Sequence, residues 1–187
     1  MKEKLDLSSI QERMIGQLEI IKGEPRAQII VLQAHVEFLV DEILEVLIES
    51  EKYRGTKLSL LKKLDLLKDL DWIPPNIAKD ISTLSVIRGF VAHRINIYDS
   101  ETINEVNRKF KEISLVKKAG TTIFPENETM QSHLKQVLQL YFGILSIIYY
   151  NVYELKKKQS LKNDIKLGDY QIFMDKDNNI NISWDSL

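Results

Sequence analysis

At 187 residues, 44% apolar and 28% charged, the chain has the makeup of one globular domain with a substantial core. Its 26 basic and 27 acidic side chains leave a formal charge of −1, which excludes any global attraction to nucleic acid or to an anionic membrane. Contact with phosphate would have to be local. There is no cysteine, so disulfides, thiol nucleophiles and thiolate metal sites are excluded as well.

The N-terminal stretch MKEKLDLSSIQER is charged and has no apolar run of signal-peptide length, so a soluble, cytoplasmic protein is expected. From about Ser8 to Lys22 the apolar residues Ile10, Met14, Leu18 and Ile21 recur at helical spacing. Gly23 and Pro25 supply a stop and a restart. A long helix is predicted from Arg26 to about Glu51, with Ile29, Leu32, Val36, Leu39, Ile43, Val46 and Leu47 on a core-facing stripe. Its acidic residues Glu37, Asp41 and Glu45 repeat every four positions and are expected to form a solvated face. His35, beside Val36, reads as a hydrogen-bonded core or boundary residue.

After the break at YRGT, the segment LSLLKKLDLLKDLDW predicts a shorter helix ended by Pro74-Pro75. Pro75 suits the first turn of the next helix, PNIAKDISTLSVIRGFVAHR, whose stripe is Ile77, Ile81, Leu84 and Phe90/Val91. Asp99 or Ser100 in YDSET fits a helix cap, and the helix that follows is expected to close at Gly120. Beyond the loop TTIFPENET, a second long helix is predicted from about Glu128 to Lys158, with His133 near its start and at the surface. Its longest apolar stretch, VLQLYFGILSIIYYNVY, is interrupted by Gln139 and Asn151 and is short for a membrane span. Lys156, Lys157 and Lys158, with Lys162 and Lys166, read as a solvated helix end or as a phosphate-binding edge. In YQIFMDKDNNINISW the period changes to two on either side of Asp175–Asn179, which predicts a β-hairpin. The expected fold is all-α: an up-and-down bundle of five or six helices over residues 1–160, with a C-terminal extension, 161–187, carrying the hairpin.

The chemistry-bearing motifs are few. No GxxxxGK[ST] or GxGxxG phosphate loop and no GxSxG elbow occurs. The Glu-x-x-His pairs of di-iron bundles are absent, and the three histidines share no HExxH-type spacing, so neither a metal nor another cofactor is expected. What remains is SVIRGFVAHR, where Arg88 and His93 stand five residues apart in an apolar segment. Large polar groups in such a segment need partners or line a site. The plain structural alternative is an arginine snorkelling from a boundary position and a histidine favoured by the end of a helix.

This segment resembles the signature of the HEPN superfamily: an arginine, four to six residues, then a histidine at a helix end in a small α-bundle. Arg88, Ala92 and His93 match the arginine, the small residue before the histidine, and the histidine itself. The preceding AQIIVLQAHVEFLVDEILEVLI resembles the long helix these domains place before the motif, and LSLLKKLDLLKDLDWI is similar to a short helix of the mannitol operon repressor branch. The likeness covers roughly residues 25–155. At the second motif position, usually Asn, this chain has Gly89, and two residues after the histidine, where some members carry tyrosine, it has Ile95.

The resemblance implies a homodimeric, metal-independent endoribonuclease, toxin or defence related, that could be restrained by an antitoxin or regulatory protein. In it Arg88 would bind phosphate and His93 would act as general acid or base. Arg94 and Asn96 would assist RNA binding, and Glu37 would orient Arg88 or His93 from the long helix. On an ideal helix five residues turn 500°, which leaves Arg88 and His93 about 140° apart. Either the helix ends between them or a second copy completes the site. The rival implication is a non-catalytic dimerisation or regulatory module. An unrelated bundle with a chance Arg-x4-His spacing is the third possibility.

Overall fold

The structure, a computed structural model, describes residues 4–48, 58–93, 100–117, 130–159, 170–174 and 180–184. Among these the chain is mainly helical: α1 (Leu7–Ile20), α2 (Pro25–Ile48), α3 (Leu60–Asp69), α4 (Pro75–His93), α5 (Ser100–Glu112), a short α6 described over 114–117, and α7 (Met130–Gln159). Five or six helices were expected, and seven are described. The extra one arises because the helix predicted to run unbroken to Gly120 is interrupted at Ile113. Two five-residue segments, Tyr170–Met174 and Ile180–Trp184, are placed antiparallel with Tyr170 opposite Trp184 and Met174 opposite Ile180. The turn between them lies outside the described residues, and the helices alone establish the fold.

Each helix boundary has a local cause. Asp6 caps α1: its carboxylate accepts from the Ser9 backbone N–H at 3.2 Å and the Ser9 hydroxyl at 2.6 Å. Gln28 in α2 donates through Nε2 to the Leu18 carbonyl at 3.2 Å, satisfying an orphan acceptor at the end of α1. α3 ends before the prolines do their work. Trp72 N–H bonds to Leu67 O at 2.9 Å and Asp71 N–H to Lys68 O at 3.0 Å, with Asp71 at φ 57°. That pair of bonds is a Schellman closure, and aspartate is one of the few non-glycine residues that tolerates the left-handed position. Pro75 then opens α4 as expected.

α2 and α7 pack along each other and supply most of the core. Ile29, Leu32, Val36, Leu39, Val40, Ile43 and Leu44 of α2 are buried, and so are Val137, Leu138, Tyr141, Leu145, Tyr149 and Val152 of α7. α4 lies against α2 with Ile77, Ile81, Leu84, Ile87 and Val91 inward. A core of this size is what lets the apolar stripe dominate intrinsic helix propensity. α3 packs on both α2 and α4. The acidic row of α2 is only partly solvated: Glu37, Asp41 and Glu45 are all half-buried, and Asp41 pairs with Lys63 of α3 at 2.5 Å.

One buried polar cluster ties three helices together. Asp80 of α4 is 1% exposed and accepts from the Ser114 N–H at 3.0 Å on both oxygens, from the Ser114 hydroxyl at 3.1 Å, and from the Tyr141 hydroxyl of α7. With these bonds a buried carboxylate is compensated rather than stranded. They also explain the break at Ile113. The Ser114 N–H is claimed by Asp80 instead of the preceding turn, and a new helix starts there with Lys117 N–H on Ile113 O at 3.0 Å. No helix among the described residues is long and apolar enough to cross a membrane.

Candidate functional site

Arg88 and His93 both belong to α4, which runs without interruption from Pro75 to His93. The helix does not end between them, so the first of the two ways to make them converge is excluded. Helical rotation places Arg88 on the same side as Ile77, Ile81, Leu84 and Val91, the face turned to the bundle. Position 93 falls on the opposite side, in line with Val86, Gly89 and Phe90. Val86 is exposed, while Gly89 and Phe90 are half-buried. Seen from the backbone, positions 88 and 93 therefore lie about 140° apart on one helix, with Arg88 on its bundle side.

Arg88 itself is half-buried, and its Nε is fully buried with no hydrogen-bond partner among the described residues. A guanidinium nitrogen that has lost water without gaining an acceptor is costly, about 1–3 kcal/mol. Glu37 does not relieve it. Among the described residues no bond or ion pair joins the two, and Glu37 instead accepts from Gln33 Nε2 at 3.4 Å, one turn back on α2. Among the described residues the Glu37 carboxylate is bonded within its own helix. Arg94 and Asn96 lie outside the described residues, as do Lys162 and Lys166.

Gly89 stands at the motif position that is usually polar. A Cβ added there would meet nothing within 4 Å, so no other part of the described chain requires the glycine. In mid-helix it costs about 1 kcal/mol relative to alanine.

Sequence reasoning missed one residue here. Arg26, in the first turn of α2, donates through Nη2 to the carbonyl of Ala92, the residue before His93. The last carbonyls of α4 are orphan acceptors at the negative end of its dipole, and the guanidinium satisfies one of them while supplying the opposite charge. The available signal was an arginine beside Pro25 at a helix start. It gives no hint that the end of another helix, 66 residues along the chain, abuts it. Asp80 was missed for the same reason.

The other two histidines are placed clearly. His35 is half-buried, with Nδ1 bonded to the Val31 carbonyl at 2.9 Å and its ring edge-on to Phe142 at 6.2 Å, as a boundary residue should be. His133 is not at the surface: it is 7% exposed and stacks on Phe110 at 6.1 Å with an interplanar angle of 18°. The α5–α7 contact that buries it joins segments distant in sequence. Among the described residues no three His, Asp or Glu side chains are grouped to hold a metal ion. No protein-family model, curated protein or solved structure matches the chain.

Proposed function

We propose that the chain is a HEPN-type, metal-independent endoribonuclease, toxin or defence related, acting in the cytoplasm as a homodimer with Arg88 and His93 at a shared site. The observation that carries this reading is the buried, unpaired Nε of Arg88. A partly dehydrated guanidinium whose Nε has no acceptor among the described residues is suited to a phosphate, whose oxygens its fork of donors matches. The angle of about 140° between the two motif positions is the reason for invoking two copies: the arginine of one would work with the histidine of the other.

The reaction balances without a cofactor. The ribose 2′-oxygen forms a bond to the adjacent phosphorus and gives its proton to His93 of one copy. The bond from phosphorus to the 5′-oxygen breaks, and that oxygen takes a proton from the His93 of the second copy, leaving a cyclic phosphate. An imidazole with an ordinary value near pH 6.5 suits both roles. Arg88 would hold the negative charge that grows on the phosphoryl oxygens. Arg94 and Asn96 follow the motif closely enough to contact RNA. The extension over 161–187, read as a hairpin, is a further surface for a regulatory protein or antitoxin.

A second reading is favoured by Gly89, which replaces the usual polar group of the motif and fronts open space. In it the chain is a non-catalytic HEPN-like module in which α4 mediates dimerisation. Both are tested by incubating purified protein with single-stranded RNA in chelator. Cleavage is expected, with cyclic phosphate ends, and is expected to be lost in His93→Ala and in Arg88→Ala. Equal cleavage by His93→Ala would refute the assignment. Absence of cleavage, together with a change of oligomeric state in Arg88→Ala, would establish the second reading.

A further inference from the structure

Away from α4, a cleft of about 270 Å³ opens between α1 and α2, lined by Ile10, Arg13 and Gln17 on one wall and Ala34, His35 and Phe38 on the other. Most of the lining is apolar. Phe38 is 38% exposed although it sits among the buried residues of α2, so its ring is available at the cleft rather than absorbed by the core. The volume sits at the lower end of small-molecule pockets, about 300 Å³, which suits a single-ring ligand and is too small for a dinucleotide.

The polar groups in the cleft are oriented. His35 Nδ1 lies 2.9 Å from the Val31 carbonyl, and only a protonated nitrogen can bond to a carbonyl oxygen, so Nδ1 carries the hydrogen. The ring is held further by Phe142 at its edge. Nε2 is then the nitrogen left to meet a ligand. Arg13 uses Nε on the Ser9 carbonyl at 3.3 Å, which lays its guanidinium along α1 and leaves the two terminal nitrogens uncommitted among the described residues. Arg13 is the one formal charge lining the cleft. Glu12, its neighbour in sequence, points 100° further round α1.

We propose that this cleft binds a planar aromatic ring carrying an anionic group, with the ring against Phe38 and Ile10 and the anion on Arg13, supported by Gln17. The site is independent of α4 and of the function assigned to it. One cation and one amide beside an exposed phenyl ring match that ligand class.

The test is a titration of the full chain followed by the ring signals of His35 and Phe38 in carbon–proton NMR spectra, with benzoate, benzylamine and inorganic phosphate as probes. Benzoate is expected to shift both residues saturably, while benzylamine leaves them unmoved and phosphate binds more weakly than benzoate. Arg13→Gln, at an exposed position that does not threaten folding, is expected to weaken benzoate about tenfold or more, the scale of a lost charge-assisted bond. Phe38→Ala is expected to remove the advantage of benzoate over phosphate. Equal binding of benzoate and benzylamine, or benzoate binding unaffected by Arg13→Gln, would overturn the proposal.

Discussion

Arg88 is the residue at which stability and function pull apart. Its aliphatic stem lies on the bundle side of α4 between Leu84 and Val91, yet among the described residues its Nε has no acceptor. Replacing it by methionine keeps much of the stem and removes the stranded donor. Arg88→Met is therefore expected to leave the unfolding free energy unchanged or raise it by about 1–3 kcal/mol in denaturant titrations, while RNA cleavage is lost. A loss of stability instead would mean that the guanidinium is bonded within the fold and is not held for a ligand. Asp80 makes the opposite case. It is more deeply buried than Arg88, but among the described residues its bonds are internal, to Ser114 and Tyr141, so it belongs to the architecture.

Among the elements, α1 is the one whose attachment responds to pH. Its start is held by the Asp6 cap, and the segment before it by Lys4, whose ammonium bonds to Glu154 of α7 at 2.9 Å and sits 3.9 Å from the Tyr150 ring centroid. The Ser9 hydroxyl, then its backbone N–H, hold the Asp6 carboxyl below the usual aspartate value. Lys4 does the same to Glu154 by its hydrogen bond, and Glu154 in turn raises Lys4. A carboxyl depressed in the folded state stabilises it above the unfolded pKa, about 4, and that contribution fades as pH falls through the lower folded value. The lysine behaves in the mirror sense: its contribution is full below its usual value and fades as pH rises through the raised one. Amide exchange in the first turn of α1 is therefore expected to accelerate relative to α2 below about pH 4, and again at strongly alkaline pH. Asp6 and Lys4 are exposed and Glu154 is half-buried, so this is local fraying and not global unfolding. Asp6→Asn, which keeps a capping oxygen, is expected to flatten the acid limb.

At the scale of the whole molecule, the question is whether α4 meets a second copy. Gly89 sits on the outer face of α4 with Val86 and Phe90, and nothing within the described chain comes near its missing side chain. Gly89→Ala is expected to raise the unfolding free energy of the isolated chain by about 0.5–1 kcal/mol, because alanine loses less backbone entropy in a helix. If a second copy packs there, as the proposed dimer has it, the same methyl group is expected to weaken self-association in sedimentation experiments. Stabilisation with unchanged association would separate the dimer contact from this face. The two readouts are distinct because one is measured at dilution and the other across concentration.

Helical periodicity by itself determined the number of long helices, the stripe of α2 and the restart at Pro75, because burying an apolar stripe needs only local spacing and one adequate core. It placed Arg88 and His93 on α4, about 140° apart, for the same reason. The sequence was silent wherever a side chain answers to a partner distant in the chain. Only the tertiary structure decided that Asp41 of the acidic row of α2 pairs with Lys63 of α3, that His133 is stacked inside, and that Asp80 splits one predicted helix in two. It also decided that Arg26 closes the end of α4 and that Gln33 donates to Glu37. Charges and hydrogen-bond donors carry no period that names their partner. Which of them meet is set by helix packing, and that comes from the summed burial of the stripes.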